Sequence, residues 1–322
     1  MIDRRSVLIG GIALGSVAAA RPPIRVVRGG SIAEGLATAR RLGVRVITID
    51  AGVYREKLTI DLAGVTLRAT GPGAVLTYDA GAALPGPDGR NWGTSGSATL
   101  TIRAADVTID GMTIRNDHPY PQQPMQAVAL AVQAGGDRCR LRRCRIEGYQ
   151  DTLLLQATSR VSDCHISGNV DFIFGGAAAW IERCDIVSRP TQSGAPGFVA
   201  APSTPACQAF GLVFDRCRLL REDGVRDGSV FLGRPWRAGG NMALLGQASF
   251  LRCRMDAHIA AEGWTWMGYR DPAGVQRQLT PLEARLYEAD SRGPGAVAAP
   301  TRRTDTRRPT ADRVLASGGS CR

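Results

Sequence analysis

A repeat of about twenty residues runs through the middle of this chain. Cys144-Arg-Ile-Glu-Gly-Tyr-Gln-Asp151 and Cys164-His-Ile-Ser-Gly-Asn-Val-Asp171 share the form C-x-I-x-G-x-x-D and are offset by 20 residues. Shorter copies of the same core are Met112-Thr-Ile114, Cys184-Asp-Ile186, Cys217-Arg-Leu219 and Cys253-Arg-Met255. Self-similarity at a short fixed period is typical of stacked repeat architectures, in which each unit covers its neighbour.

The segments between these copies predict strands. Ala98-Thr-Leu-Thr-Ile102 and Val107-Thr-Ile109 alternate in polarity, as strands with one inward face do, and no amphipathic helix of useful length interrupts the repeat. Short strands, glycine-rich turns and the period together predict an all-β fold, a parallel β-solenoid with loops inserted between coils. The 322 residues would otherwise suggest two domains, but the repeat predicts a single solenoid.

The cysteines of the repeat predict an inward ladder of small apolar groups. They occupy one repeat position and are Cys144, Cys164, Cys184, Cys217 and Cys253. We expect reduced, buried thiols. Disulfides between adjacent coils are the alternative, because an even total of eight cysteines outside the cytoplasm favours a disulfide framework. Cys321, in a polar tail, is expected to be the most reactive thiol.

Residues 1–20 predict an export signal. Fourteen apolar residues from Val7 to Ala20 follow Arg4-Arg5, too few for a membrane-spanning helix, and they end in a run of alanines typical of a cleavage site. The arginine pair resembles a twin-arginine signal. A general secretion signal and an uncleaved anchor are the alternatives. No later segment is apolar enough to span a bilayer, so we expect residues 21–322 to form a soluble periplasmic or extracellular domain.

The formal charge of +11 is built almost entirely from arginine, since Lys57 is the only lysine. The N-terminal segment contributes +1 and residues 301–322 contribute +4, which leaves +6 for the body of the chain. An arginine excess is weak evidence for nucleic acid, because base composition can produce it. The body has no basic stripe interleaved with aromatic residues, so we expect no nucleic-acid partner.

Two aspartates of the repeat are candidate catalytic groups. Asp151 and Asp171 each follow a ladder cysteine by seven residues and therefore occupy one lateral position on neighbouring coils. Strands of a sheet are about 4.8 Å apart, so one carboxyl should have a raised pKa and act as an acid while the other stays anionic beside a cation. The alternative is an aspartate used twice as a turn former. With only three histidines in the chain, a multi-histidine metal site or a Ser-His-Asp hydrolase has few residues available.

Four motifs around these aspartates occur in the order found in one carbohydrate esterase family. They are Gln126-Ala-Val-Ala-Leu130, Gly148-Tyr-Gln-Asp-Thr152, Val170-Asp-Phe-Ile-Phe-Gly175 and Leu232-Gly-Arg-Pro-Trp236. From about residue 24 to near the C terminus the chain resembles the pectin methylesterases. Its bacterial branch is suggested by Gly93-Thr-Ser-Gly-Ser97, Ala201-Pro-Ser-Thr204 and Gly263-Trp264. The resemblance implies that residues 21–322 form one single-stranded right-handed parallel β-helix domain, with a C-terminal extension packing on it. This domain would hydrolyse galacturonate methyl esters in pectin to methanol and pectate, without a metal or other cofactor.

The resemblance also implies roles for individual residues. Asp171 would be the nucleophile and Asp151 the acid and then the base. Gln126 and Gln150 would donate to the oxyanion, and Arg234 would pair with Asp171. The implied substrate-binding residues are Thr94, Gln126, Phe174, Arg234, Trp236 and Met267.

Blander roles remain open for some of these residues. Gln150 could cap a turn, Gln126 could lie in a stacked amide ladder, and Trp236 could be a core tryptophan. The chain departs from the family at Leu154, where an aromatic residue usually stands. This change would remove a stacking platform for substrate without affecting the chemistry.

Two other functions compete with the esterase. A β-helix glycosidase or lyase acting on polyuronates would use similar carboxylates, and a non-catalytic carbohydrate-binding or adhesive solenoid would keep only the scaffold. For the +6 body, an anionic polyuronate is a more natural partner than nucleic acid. We expect a monomer with no membrane contact once the signal is removed.

Overall fold

The computed structural model describes residues 21–318 and Cys321, so the predicted export signal lies outside the described residues. The strands, in chain order, are β1 (Ile24–Val26), β2 (Val46–Ile49), β3 (Gly52–Arg55), β4 (Leu58–Ile60), β5 (Thr66–Ala69), β6 (Ala74–Tyr78), β7 (Leu100–Ile102), β8 (Thr108–Asp110), β9 (Thr113–Asn116), β10 (Leu130–Val132), β11 (Cys139–Arg142), β12 (Arg145–Glu147), β13 (Leu153–Leu155), β14 (Ser159–Ser162), β15 (His165–Gly168), β16 (Ile173–Gly175), β17 (Ala179–Glu182), β18 (Asp185–Ser188), β19 (Gly197–Pro202), β20 (Leu212–Asp215), β21 (Arg218–Arg221), β22 (Val230–Gly233), β23 (Gln247–Leu251), β24 (Arg254–Met255), β25 (Met267–Arg270), β26 (Gln276–Leu279) and β27 (Arg285–Ala289). The helices are α1 (Ile32–Leu42), α2 (Gly93–Gly96) and α3 (Ala311–Ala316), with short 3₁₀ turns at Gln192–Gly194 and Ala238–Gly240.

Three parallel sheets run along the molecule, and each of the seven coils between β2 and β22 contributes one strand to each sheet. Sheet 1 has the order β1-β2-β5-β8-β11-β14-β17-β20-β23-β27, sheet 2 the order β3-β6-β9-β12-β15-β18-β21-β24, and sheet 3 the order β4-β7-β10-β13-β16-β19-β22. Only β25 and β26 pair antiparallel among the described strands. This architecture confirms the predicted parallel β-helix.

The register explains the repeat. Leu141 pairs with Val161 on the next coil, an offset of 20 residues, whereas on the other side it pairs with Ile109. The larger offset on that side arises because a long loop between β9 and β10 is inserted into the coil. The irregular gaps of the sequence are therefore loops, and the paired core positions stay aligned.

The ladder cysteines lie at the corner between sheets 1 and 2. All five are buried, unbridged thiols, as predicted. The amide of Cys144 donates to the sulfur of Cys164, and the amide of Cys164 donates to that of Cys184, so successive coils are linked through sulfur. The residues that precede the five cysteines have φ between 51° and 55° and are Arg143, Asp163, Arg183, Arg216 and Arg252. This left-handed conformation turns the chain sharply enough to start the next strand.

Helix α1, which the repeat pattern did not predict, packs on the first coil. Ser31 caps it by accepting from the amide of Glu34, and the Glu56 carboxylate accepts from the amides of Ile32 and Ala33. Its inward face is buried in the main core through Ile32 and Ala39. The helix therefore covers apolar side chains of the first coil that no earlier coil could cover.

The C-terminal segment packs on sheet 1. Helix α3 inserts Val314 into an apolar cluster with Trp180 and Phe210, and Cys321 forms a disulfide with Cys207. The expectation that Cys321 is a reactive thiol in a polar tail was therefore wrong, because the segment folds back onto the solenoid. No helix in the described part of the chain is long and apolar enough to cross a membrane.

Candidate active site

The nine residues expected at the site line one cleft of about 250 Å³ on the outer side of sheet 3. They are Thr94, Gln126, Gln150, Asp151, Asp171, Phe174, Arg234, Trp236 and Met267, and Ala201 joins them. Most of these side chains come from loops that enter or leave the strands of sheet 3, on successive coils. Stacking of the coils thus brings together residues that lie far apart in sequence.

Asp151 and Asp171 lie in equivalent turns of neighbouring coils, just before β13 and β16. Their φ values are 64° and 50°, a left-handed conformation that aspartate tolerates better than most residues. The amide of Asp151 donates to the carbonyl of Val170 at 3.0 Å, which fixes one turn upon the next. Each aspartate is only 8% exposed. The structure therefore places two nearly buried carboxyls side by side in a strained backbone conformation that is common at functional sites.

Arg234 holds Asp171 with two parallel hydrogen bonds. Its Nε donates to Oδ1 at 2.9 Å and its Nη2 donates to Oδ2 at 2.7 Å, while the guanidinium lies 3.9 Å from the Phe198 ring centroid. The preceding Gly233 has a φ of 159° and passes so close to the Ala200 carbonyl that a Cβ would lie 2.1 Å from its oxygen. The glycine of the Gly-Arg-Pro-Trp motif is therefore required to bring the Arg234 backbone onto β19.

The surroundings of the two carboxyls differ. Burial raises the pKa of Asp151 well above its usual range, and the negative charge of Asp171 raises it further. Burial also raises the pKa of Asp171, but the hydrogen bonds and charge of Arg234 oppose this. We therefore place the shared proton on Asp151 and the negative charge on Asp171. A buried acid next to an anion can donate a proton and supply a nucleophile in one site.

Gln126 and Gln150 lie on adjacent coils. The amide of Ala127 donates to the carbonyl of Gln150 at 3.1 Å, which aligns the two residues at one rim of the cleft. Neither side-chain amide has a hydrogen-bond partner among the described residues, so Gln150 does not cap a turn and Gln126 does not form an amide ladder. Both amides are free to donate to a group bound in the cleft.

An apolar wall faces the carboxyls. The Phe174 and Trp236 rings lie 6.0 Å apart at 55°, and Met267 packs against the same cluster from β25. Leu154 pairs with Phe174 in the sheet and is only 2% exposed. It packs beside Phe174 in the same apolar cluster and does not line the cleft, so an aliphatic side chain stands where the family usually has an aromatic one.

Two contacts of the site were missed by the sequence interpretation. Phe198 lies under the Arg234 guanidinium, and Ala201 forms part of the cleft floor. Ala201 is the first residue of the Ala201-Pro-Ser-Thr204 motif, but Phe198 carried no sequence signal. No histidine lines the cleft, and His258 is fully buried elsewhere. Within the described residues no group of three or more His, Cys, Asp and Glu side chains is arranged to hold a metal ion.

Comparison of sequences relates most of this chain to known proteins. Residues 30–296 match the sequence model of the pectinesterase family. The chain is 38% identical over 285 residues to pectinesterase A of Dickeya chrysanthemi, which covers 80% of this chain and 77% of that protein. It is 35% identical over 243 residues to probable pectinesterase 56 of Arabidopsis thaliana, with 73% of this chain and 80% of that protein covered.

Solved structures give the same relation. The pectin methylesterase PemA from Erwinia chrysanthemi superposes with a TM-score of 0.86 at 36% identity, over 92% of this chain and 98% of that one. A pectin methylesterase in complex with a hexasaccharide matches with a TM-score of 0.85 at 36% identity and the same coverage. The enzyme from Yersinia enterocolitica matches with a TM-score of 0.82 over 86% of this chain and 94% of that one.

Proposed function

Because this chain belongs to the pectinesterase family, we propose that Asp171 and Asp151 in the cleft carry out its reaction. The protein is a carboxylic ester hydrolase that removes the methyl ester from galacturonate units of pectin and releases methanol and de-esterified pectate. The observation that carries the assignment is the two-point hold of Arg234 on Asp171 beside a carboxyl whose pKa is raised.

In the first half of the reaction, an oxygen of ionised Asp171 attacks the ester carbonyl carbon, and the carbonyl oxygen becomes an oxyanion. Protonated Asp151 then gives its proton to the methoxy oxygen as the carbon–oxygen bond breaks, and methanol leaves. The product is an anhydride between Asp171 and the galacturonate carboxyl. Asp151 is now ionised and has the charge that a base needs.

In the second half, Asp151 removes a proton from water while the water oxygen attacks the galacturonate carbonyl carbon of the anhydride. The bond to Asp171 breaks, which restores its carboxylate. The galacturonic acid ionises on release, and Asp151 carries its proton again. Each cycle therefore consumes one ester and one water and yields methanol, a carboxylate and a proton.

Gln126 and Gln150 stabilise the oxyanion in this proposal. A neutral amide donor suits a charge that exists only in the tetrahedral intermediate, because it does not attract the uncharged ester strongly beforehand. The side-chain amides of both glutamines lack hydrogen-bond partners among the described residues, which supports this role. The loss of one such donor typically lowers the rate by roughly 10²- to 10³-fold.

The apolar wall binds the sugar ring and the methyl ester. Trp236 and Phe174 offer ring faces to the apolar side of a pyranose, and Met267 adds an adaptable thioether. Thr94, in α2, also lines the cleft and supplies a hydroxyl. These four residues are proposed to select and orient an esterified unit, while the two aspartates act on it.

We also propose that residues 1–20 direct export, that residues 21–322 form one catalytic domain, and that this domain works as a monomer outside the cytoplasm. The fourteen-residue apolar run after Arg4-Arg5 supports export. Large exposed apolar side chains such as Val53 and Leu282 are scattered along the chain, which supports a monomer. Fractionation of expressing cells and light scattering on the purified domain test these two points.

The test of the reaction measures methanol and new reducing ends from methylated pectin. Wild type should release methanol without shortening the polymer, and Asp171→Asn should release almost none. Asp163→Asn is the matched control, because Asp163 also has a positive φ (55°) but lies at the corner between sheets 1 and 2, paired with Arg183. Reducing ends without methanol would identify a glycosidase or lyase instead. Equal methanol release by Asp171→Asn would refute the nucleophile assignment.

A further inference from the structure

Outside the cleft, the turn that carries Gln150 and Asp151 is contacted by a side chain that follows a strand of sheet 2. This turn, residues 148–152, joins β12 to β13. Its inner side is fixed to the next coil, because the amide of Gly148 donates to the carbonyl of Ser167 at 3.2 Å. Its outer side instead contacts a side chain from two coils away.

That side chain is Arg189, which follows β18 and reaches across the intervening β15. Its Nη1 donates to the Gly148 carbonyl at 2.9 Å, and its guanidinium lies 3.9 Å from the centroid of the Tyr149 ring. Its Nε donates to the Glu222 carboxylate at 3.3 Å, and its own amide donates to the carbonyl of Gly168 at 2.8 Å. One arginine therefore links the Asp151 turn to three later coils.

The stack continues to a second segment of the site. The ring of Tyr149 also stacks on Tyr120, with ring centroids 5.0 Å apart and planes within 6°. Tyr120 is 6% exposed and lies in the loop between β9 and β10, which also carries Gln126. The rings thus connect the segment that bears one candidate oxyanion donor to the segment that bears the other.

The residue after Arg189 contacts the turn of the nucleophile. The carbonyl of Pro190 accepts from Nδ2 of Asn169 at 3.0 Å, and Oδ1 of Asn169 accepts from the amide of Val170 at 2.8 Å. Asn169 is 1% exposed and stands two positions before Asp171. The pair Arg189–Pro190 is therefore bonded to the turns of both aspartates without entering the cleft.

We infer that Arg189 is a positioning residue for the esterase reaction, which sets the place of Asp151 and Gln150 relative to Asp171. The inference rests on the proposed function. Guanidinium geometry is required, because only a planar group can lie on the Tyr149 ring and donate sideways to Gly148 at once. A displacement of the acid by about 1 Å can lower the rate by about 100-fold when the reacting groups no longer align.

The experiment compares methanol release by wild type, Arg189→Lys and Arg189→Ala, each with its melting temperature. We expect kcat to fall about 10- to 100-fold in Arg189→Ala, with KM within about threefold of wild type because Arg189 does not line the cleft. Arg189→Lys keeps the charge but not the planar fork, so it should recover only part of the rate. Added guanidinium, well below denaturing concentrations, should restore activity to Arg189→Ala.

Arg221→Ala is the matched control. Arg221 lies in register with Ser188, is similarly exposed and pairs with Asp227, but it touches neither aspartate turn. It should keep the wild-type kcat and show no response to guanidinium. If Arg189→Ala does not fold, Arg189→Lys carries the same kcat and KM comparison.

The outcomes separate the two proposals. An unchanged kcat in a folded Arg189 variant overturns the positioning role and leaves the proposed reaction intact. So does a loss that follows the melting temperature and that guanidinium does not relieve, because it marks a structural role only. Full activity of Asp171→Asn in the same assay would instead overturn the proposed reaction itself.

Discussion

The guanidinium of Arg234 meets the carboxylate of Asp171 edge to edge, with Nε–Oδ1 at 2.9 Å and Nη2–Oδ2 at 2.7 Å. The pair is largely buried, since the side chains are 25% and 12% exposed. An ion pair in such surroundings is a means of fixing orientation more than a source of stability, because desolvation offsets much of the attraction. The two hydrogen bonds hold the Asp171 carboxylate in one orientation and favour its ionised form next to Asp151.

Replacement of Arg234 by lysine should therefore separate charge from geometry. Arg234→Lys keeps a cation near Asp171 but loses one of the two hydrogen bonds and the contact with the Phe198 ring. We expect kcat for methanol release to fall about 100-fold. Arg218→Lys is the control, because Arg218 makes an equivalent two-point contact with Asp185 on the exposed face of sheet 2. Similar activities for Arg234→Lys and wild type would show that charge alone is sufficient.

Asp151→Asn should lose activity and gain stability. The rate should fall by about 10²- to 10⁴-fold, since the proton donor is lost. The pKa of Asp151 is raised in the folded state, so its contribution to folding is fully present at low pH and is lost as the pH rises through that pKa. Asparagine stays neutral throughout. The variant should therefore melt at a higher temperature than wild type at neutral pH, by an amount that shrinks as the pH falls towards about 4.

The control for this stability effect is Asp163→Asn. Hydrogen bonds from Arg183 lower the pKa of Asp163, so its charged form favours the folded state and its removal should not stabilise the protein. Melting curves of the three proteins across the pH range supply the measurement. A lower melting temperature for Asp151→Asn at neutral pH would mean that folding does not raise the pKa of Asp151.

Much of this architecture was predictable because the same packing requirement recurs at the same position of every coil. Cys144, Cys164 and Cys184 recur every 20 residues since an inward corner needs a small apolar side chain on every coil. The same register places Asp151 beside Asp171, so the pair could be inferred from spacing alone. The contact between Arg234 and Asp171 could not be inferred from spacing, because Arg234 lies in a loop that follows β22, on a later coil.

Features that depend on contacts between distant segments left no local signal. Helix α1 contains Gly35, where an added Cβ would lie 2.7 Å from a methyl carbon of Val26. Close packing against β1, and not helix propensity, therefore requires a glycine at this position. The bridge between Cys207 and Cys321 spans 114 residues of sequence. The contact of Arg189 with Gly148 crosses two coils. Spacing rules describe neighbours within a repeat and do not reach these pairs.

The disulfide should stabilise the C-terminal segment. Closing a loop of 114 residues lowers the conformational entropy of the unfolded chain. Disulfides of this kind typically contribute about 2 to 5 kcal/mol to the free energy of unfolding. Cys321→Ser should lower that free energy in urea unfolding, and a reductant should lower it in wild type to the same level. The reductant should have no further effect on Cys321→Ser. If it did, a second bridge or a thiol of the buried ladder would be involved.

His258 should make the fold sensitive to mild acid. The ring is fully buried, neither nitrogen has a partner among the described residues, and burial lowers its pKa to about 4. Between about pH 6.5 and 4 the unfolded chain therefore binds a proton that the folded chain excludes. The contribution of His258 to the free energy of unfolding is constant above this window and becomes unfavourable as the pH falls through it, by about 3 kcal/mol in total. His258→Leu, which fills a similar volume and cannot titrate, should remove this part of the decline.

The measurement is urea unfolding of wild type and His258→Leu at several values between about pH 4 and 8. The difference in unfolding free energy between the two proteins isolates His258, because Asp151 and Asp171 titrate equally in both. That difference should be constant above about pH 6.5 and should move steadily in favour of His258→Leu below it. A difference that stays constant across the whole range would mean that the ring is protonated as readily in the folded protein as in the unfolded chain.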